Sequence, residues 1–249
     1  MSLTYTKDST NVDIVMDNIR HTQDPRRTKN ENHCVLLTTG SLNPVHKSHV
    51  LSLIQAKQYL EQQYHFRVLA GYLSPTQDSY VKEKLRSNHI PSEHRIRMCE
   101  EAIKEANVQD WICVDKAECK ATGFVDFPGV CIQLRRYIND IVVYSQGLVT
   151  RPIRLIYVCG LDHFNKCSDV LLLARNEYGV AVIYRPGYEE NKIQTVVNPN
   201  IFYVPINDEN KKSLTDVSSS LIRQKLQNGE SCDSLTYKSV LEYLKLLKN

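Results

Sequence analysis

From Cys34 onward the chain alternates short apolar runs with longer amphipathic stretches, and this alternation constrains the fold more than any other feature. Cys34–Leu37, Phe66–Leu73, Trp111–Val114, Ile153–Cys159, Gly179–Tyr184 and Ile201–Val204 read as buried strands. Between them, Val50–Tyr64, a stretch capped by Ser92, and Val130–Tyr144 read as helices. The second aligns Ile96, Cys99, Ala102/Ile103 and Ala106 on one face, and the third Leu134, Tyr137/Ile138 and Ile141. Ser219–Gln227, stopped at Asn228-Gly229, and Thr236–Leu247 close the chain as helices. Such a sequence predicts an α/β fold: a Rossmann-like, doubly wound, mainly parallel sheet with helices on both faces and a C-terminal helical segment. Residues 1–32 read as a polar tail with at most a short amphipathic turn around Val12–Ile19. One domain spans 33–249, its helical end beginning near residue 216.

Composition narrows the class. The 249 residues suffice for a substantial core. The net charge of +3 is too small for a protein that coats nucleic acid. No apolar run reaches the roughly 18–20 residues that span a bilayer, so no membrane partner is expected. The segment before Cys34 lacks an apolar signal core and carries Asp8, Asp13, Asp17 and Asp24. The eight cysteines contain no CxxC pair, and Cys34, Cys113 and Cys159 sit inside apolar runs, as reduced, buried thiols do. A cytoplasmic or nuclear location is expected; oligomeric state is left open, a homo-oligomer included.

In doubly wound sheets, ligands sit beyond the carboxyl ends of the strands, and four polar clusters stand at such ends or open a helix. Thr39–His49 joins strand to helix through Gly40, with His46 and His49 at the helix entry. Backbone N–H groups at a glycine turn and a helix N-terminus bind anions, and two imidazoles beside them point to a phosphate whose charge changes during a reaction. Gly71–Leu85 places Lys82 and Lys84 near the sheet edge. Cys159-Gly160-Leu161-Asp162 sets an acid where ribose hydroxyls could bind, or where it merely caps a short helix. Val217–Arg223 offers Ser218, Ser219, Ser220 and Arg223 at a helix start, where serines are also common as plain caps.

These residues carry a resemblance. Gly40–His49 resembles the GSFNPxHxxH signature of the HxGH-type nucleotidyltransferases, and Val217–Arg223 resembles their ISSTxIR motif. Gly71–Leu85 and Ile90–Met98 look like the corresponding blocks of the eukaryotic nicotinamide/nicotinic acid mononucleotide adenylyltransferases. The resemblance runs from about Cys34 to the C-terminus. It implies joining of nicotinamide or nicotinate mononucleotide to the AMP part of ATP, with release of pyrophosphate. It also implies Mg²⁺ arriving with ATP and no metal held by the protein's own side chains.

By matching positions, the resemblance assigns ATP to Gly40, Ser41, His46, His49, Gly160, Asp162, Ser218, Ser219, Ser220 and Arg223. It assigns the mononucleotide to Ser41, Lys82, Trp111 and Arg185, and catalysis to His46, His49, Lys82 and Arg223. Trp111 would stack on the pyridine ring, unless it is a core residue of its strand. The chain departs from the pattern at Leu42 (usually Phe), Ser220 (usually Thr) and Leu161 (usually Ala). No second tryptophan follows Asp162, which leaves the preference between amide and acid open. Two other readings stand beside this one: the same chemistry with another phosphate acceptor, and a nucleotide-binding or chaperone-like relative without turnover.

Overall fold

A computed structural model describes residues 3–21, 32–187, 190, 193, 197–207 and 217–247. Its centre is a six-stranded, all-parallel sheet in the order β3-β2-β1-β4-β5-β6. The strands are β1 (Asn32–Gly40), β2 (Phe66–Pro75), β3 (Ile112–Val114), β4 (Arg154–Gly160), β5 (Tyr178–Tyr184) and β6 (Ile201–Pro205). The chain winds outward from β1 to β3, then crosses back to lay β4 on the other side of β1. The strand order therefore reverses between β1 and β4, where a crevice opens above the carboxyl ends.

Burial on two faces explains the apolar runs. In β1, Val35 and Leu37 join the core on one side of the sheet, and Cys34 and Leu36 join the core on the other. The first side is covered by α6 (Phe127–Asn139), through Val130, Leu134 and Ile138. The second is covered by α2 (Lys47–Tyr64), through Val50, Leu53, Ala56 and Leu60, and by α4 (Ser92–Glu105), through Met98, Cys99, Ala102 and Ile103. Asp126 caps α6 by accepting the Gly129 N–H at 3.3 Å.

Residues 3–21 differ from the expected polar tail. Val12, Val15 and Ile19 follow a helical spacing and are buried, with α1 (Asp13–Arg20) packed on β2 on the same side as α6. The segment is polar on average, but one stripe of it is apolar, and that stripe closes the sheet's outer face. Residues 22–31 lie outside the described residues.

Five further α-helices stand among the described residues. The strand-end connections contain α3 (Asp78–Leu85), α5 (Ala117–Lys120) and α7 (Leu161–Lys166). Two helices end the chain, α8 (Ser219–Gln227) and α9 (Lys238–Leu246). No helix among the described residues is long and apolar enough to cross a membrane.

Candidate active site

At the β1/β4 switch point a cavity of about 370 Å³ opens, lined by Gly40 and Ser41 from the end of β1, His49 from α2 and Gly160 from the end of β4. A Cβ built on Gly160 would meet nothing within 4 Å, so this backbone faces open space. Tyr80, Lys84, Glu118, Phe124, Phe127, Tyr157 and His163 complete the wall.

The loop after β1 is held from behind. The carbonyl of Gly40 accepts the Thr76 N–H at 2.9 Å, and that of Ser41 accepts from Arg95 Nη1 at 2.9 Å. The carbonyl of Asn43 accepts from Arg223 Nη1 at 2.7 Å, that of Pro44 from Ser219 Oγ at 2.8 Å, and that of Val45 from Thr236 Oγ1 at 2.8 Å. These bonds turn the carbonyls toward protein. Leu42 sits at φ +45°, a left-handed conformation that costs a branched side chain about 1–3 kcal/mol, and its buried side chain fixes it there.

The two histidines form one unit. Their ring centroids are 3.7 Å apart, and the His46 N–H donates to His49 Nδ1 at 3.1 Å. A nitrogen that accepts this bond carries no proton, so neutral His49 keeps its proton on Nε2. Burial drives both rings toward neutrality, His46 down to about 2, helped by His49, and His49 down to about 4. Among the described residues, the buried Nδ1 of His46 has no hydrogen-bond partner.

The other expected residues divide. Ser218 caps α8, accepting the Leu221 N–H at 3.1 Å. Arg223 Nη2 bonds Ser220 Oγ at 3.0 Å, and burial lowers the guanidinium's pKa. Ser219 and Arg223 thus hold the β1 loop, and Arg223 also borders a separate groove of about 630 Å³ between α8 and α9; none of the four lines the switch-point cavity. Lys82 is exposed on α3 and does not line the cavity; Lys84, on the same helix face as Tyr80, does. Asp162 is exposed on α7 and is likewise absent from the wall, to which the neighbouring Gly160 and His163 contribute. Arg185 follows the end of β5.

Trp111 requires a correction. It precedes β3, beside Gly71 near the middle of β2, whereas the cavity lies at the level of Pro75. Its ring packs so closely that a Cβ on Gly71 would come within 3.1 Å of Cζ3, and the Lys57 ammonium sits 5.3 Å over it. Trp111 is a packing residue of the sheet. The aromatic faces at the cavity belong to Tyr80 and Phe124, stacked at 4.2 Å, and to Phe127 and Tyr157, stacked at 4.8 Å. Phe124 lies in the connection before α6 and Phe127 is that helix's first residue, ahead of its apolar stripe, so no periodicity marks either of them.

Arg95 is also absent from the expected set. It is fully buried, and its guanidinium donates to the carbonyls of Ile90 (3.0 Å), Ser41 (2.9 Å) and Thr76 (2.8 Å) and to Asp78 Oδ1 (3.1 Å). His89 Nε2 lies 2.9 Å from the same carboxylate oxygen. Although partial burial works the other way, these two partners hold the Asp78 carboxyl below the usual range. Arg95 thereby ties the β1 loop to the β2–α3 loop. Its signal in the sequence was the basic block Ser92–Met98, where an arginine on the apolar side of a helix marks a buried charge.

Residues 37–225 match the Cytidylyltransferase-like family. The nicotinamide/nicotinic acid mononucleotide adenylyltransferase of Arabidopsis thaliana is 27% identical over 228 residues, covering 88% of this chain and 90% of that protein. A protein of that description from Danio rerio is 41% identical over 87 residues, which are 35% of this chain and 26% of the fish protein. One from Saccharomyces cerevisiae is 23% identical over 89% of this chain and 56% of its own length. Among solved structures, the nicotinic acid mononucleotide adenylyltransferase of Plasmodium falciparum, complexed with APC, superposes with a TM-score of 0.57. It is 12% identical and covers 87% of this chain and 96% of that one, a likeness of fold.

Proposed function

Because this chain belongs to the cytidylyltransferase-like family, we propose that it transfers the adenylyl group of ATP to nicotinamide or nicotinate mononucleotide, giving the dinucleotide and pyrophosphate. One observation carries the reading: the Gly40–Ser41 turn, neutral His49 with His46 against it, and the Gly160 backbone come together at one cavity where the strand order reverses, His49 lining it and His46 lying behind.

The chemistry asks little of acid–base catalysis. The attacking oxygen belongs to a phosphate monoester that is anionic at neutral pH. It forms a bond to the α-phosphorus of ATP while the α–β bridging P–O bond breaks and its electron pair leaves with pyrophosphate. The barrier lies in bringing two anions together, so alignment and charge neutralisation dominate. His49 presents Nε2–H to the cavity as a neutral donor, and an arriving triphosphate favours the protonated form of both rings. Lys84 supplies a cation at the wall. Asp162, at the start of α7, is the candidate partner of the adenosine ribose, and Arg185, just after β5, of the acceptor. Ser218, Ser219, Ser220 and Arg223 act from behind the loop, fixing its position.

Mg²⁺ enters with ATP, where it offsets triphosphate charge. Its ligands are expected to be phosphate oxygens and water, since Mg²⁺ sheds its hydration shell reluctantly and travels with the nucleotide.

The test is direct. Purified protein with ATP, Mg²⁺ and either mononucleotide is expected to form dinucleotide and pyrophosphate in equal amounts, read by chromatography. Protein that binds ATP but makes no dinucleotide from either acceptor overturns the reading.

A further inference from the structure

The cavity contains an acid that adenylyl transfer itself does not use. Glu118, on α5, is 2% exposed, yet it lines the cavity beside Phe124, Phe127 and Tyr157. A flat ring entering between these aromatic faces has His163 edge-on to Phe127 and Tyr157, the Thr39–Tyr157 hydroxyl pair, and one carboxyl within reach, that of Glu118.

Burial raises the pKa of both Glu118 and its neighbour Asp115, and hydrogen bonding favours the proton on Glu118. Ser74 Oγ lies 3.0 Å from Glu118 Oε2 and 3.2 Å from Asp115 Oδ2, but a hydroxyl has one hydrogen to give. Asp115 has other donors: Thr10 Oγ1 at 2.6 Å, the Ala117 N–H at 3.2 Å and Tyr5 OH at 3.4 Å. Glu118 depends on the hydroxyls of Ser74 and Thr76. Of two buried acids sharing one hydroxyl, the one with fewer donors keeps the proton. Burial pushes Glu118 up to about 8, with Asp115 adding to the rise while Ser74, Thr76 and Arg95 oppose it.

We infer that Glu118 reads the substituent at position 3 of the pyridine ring and selects a carboxamide over a carboxylate. A neutral carboxylic acid offers one O–H and one C=O. A carboxamide offers the complementary N–H and C=O, so the two close a cyclic pair of hydrogen bonds. A carboxylate takes the O–H but sets its second oxygen against the acid's carbonyl. Once Glu118 ionises, the amide still donates to it, while the acid substrate meets a like charge in a water-poor slot. The inference rests on the proposed reaction and names the specificity residue within it.

Other groups face Glu118: Asp115 from the β3–α5 turn, Ser74 and Thr76 after β2, Arg95 from α4, Cys131 from α6, Tyr157 from β4 and Tyr5 from the N-terminal segment. Cys119 adjoins it on α5, and His49, His163 and Lys84 share its cavity. The cysteine and tyrosine side chains here are pushed upward by burial and stay neutral across the window tested. Burial lowers the pKa of His49 and His163 toward the neutral rings, and any charge that they or Lys84 set against the ring substituent is common to wild type and Glu118→Gln, so comparing the two proteins isolates Glu118.

The experiment measures kcat/KM for the amide and acid mononucleotides from pH 6 to 9, with wild type and Glu118→Gln. Wild type is expected to prefer the amide, with the amide-to-acid ratio rising at least ~10-fold across that range, the size of about 1.4 kcal/mol of repulsion. In Glu118→Gln, which stays neutral, the ratio is expected to be flat. An unchanged ratio profile in an active Glu118→Gln protein overturns the inference while leaving the reaction standing. No turnover of either substrate by wild type overturns the reaction and the inference together. The wild-type profile needs no variant: a ratio flat from pH 6 to 9 overturns the inference even if Glu118→Gln fails to fold.

Discussion

The His46–His49 pair shows at the level of single residues how position changes a group's chemistry. Two imidazoles with ring centroids 3.7 Å apart, both buried, disfavour the charged form of each other. They wait as neutral donors. His46→Ala is expected to lower kcat at saturating ATP by at least ~10², the cost of losing one charge-stabilising donor and its stacked neighbour's support; an unchanged kcat rejects the role. The two lysines on α3 separate in the same assay. Lys84→Ala is expected to lower kcat/KM about 10-fold or more, since Lys84 lines the cavity, and Lys82→Ala to lower it less. Equal effects would mean that α3 rotates when the substrate binds. Trp111→Ala is expected to cost about 2 kcal/mol in denaturant unfolding and to leave the mononucleotide KM unchanged, because its ring packs on Gly71, away from the cavity.

Among the elements, the N-terminal segment and the C-terminal helices both reach the site from outside the sheet and brace it there. Thr10 bonds Asp115 and the Ser9 carbonyl takes the Lys116 N–H at 2.8 Å, so the first residues of the chain support the turn that carries Glu118. Thr10→Ala strips a buried carboxylate of its shortest bond and is expected to destabilise by about 1–3 kcal/mol, read as a lower denaturant midpoint. The apolar stripe of α1 was legible as Val12–Ile19. Its docking was not, because eight residues of amphipathic helix are marginal alone and take their stability from the surface they cover. The strands of the sheet were legible for the opposite reason, being buried on both faces and therefore continuously apolar.

For the molecule as a whole, two buried titrations act in opposite directions on stability. His46 and His49 have folded pKa values below the unfolded 6.5, so the unfolded chain binds more protons below that pH and stability is lost as pH falls through 6.5. Glu118 has a folded value above its unfolded 4.5, so the unfolded chain releases a proton that the folded one keeps. Stability is then lost as pH rises from 4.5 toward about 8. Between 4.5 and 6.5 two histidines outweigh one acid. Unliganded protein is therefore expected to melt at its highest temperature near pH 6.5. His49→Ala should flatten the acid limb and Glu118→Gln the alkaline one. A Tm profile unaltered by either variant would show that these groups do not titrate as the burial implies.

The sequence by itself determined the parallel sheet, its two helical layers and the strand–turn–helix at Gly40–His49, because apolar periodicity and a glycine-histidine turn are local signals, written within one strand and the start of one helix. It also marked Val217–Arg223, though not that this stretch grips the β1 loop through Asn43 and Pro44 instead of lining the cavity. Only the tertiary structure decided which side chains share that cavity: Lys84 and not Lys82, the Phe124 and Phe127 rings and not Trp111, and the buried Glu118, with Arg95 bracing the loops behind it. Those residues come from short helices, helix ends and connections, where too few turns carry a period to tell which side faces a ligand. Their meeting depends on where β1 and β4 part, a long-range outcome of strand order.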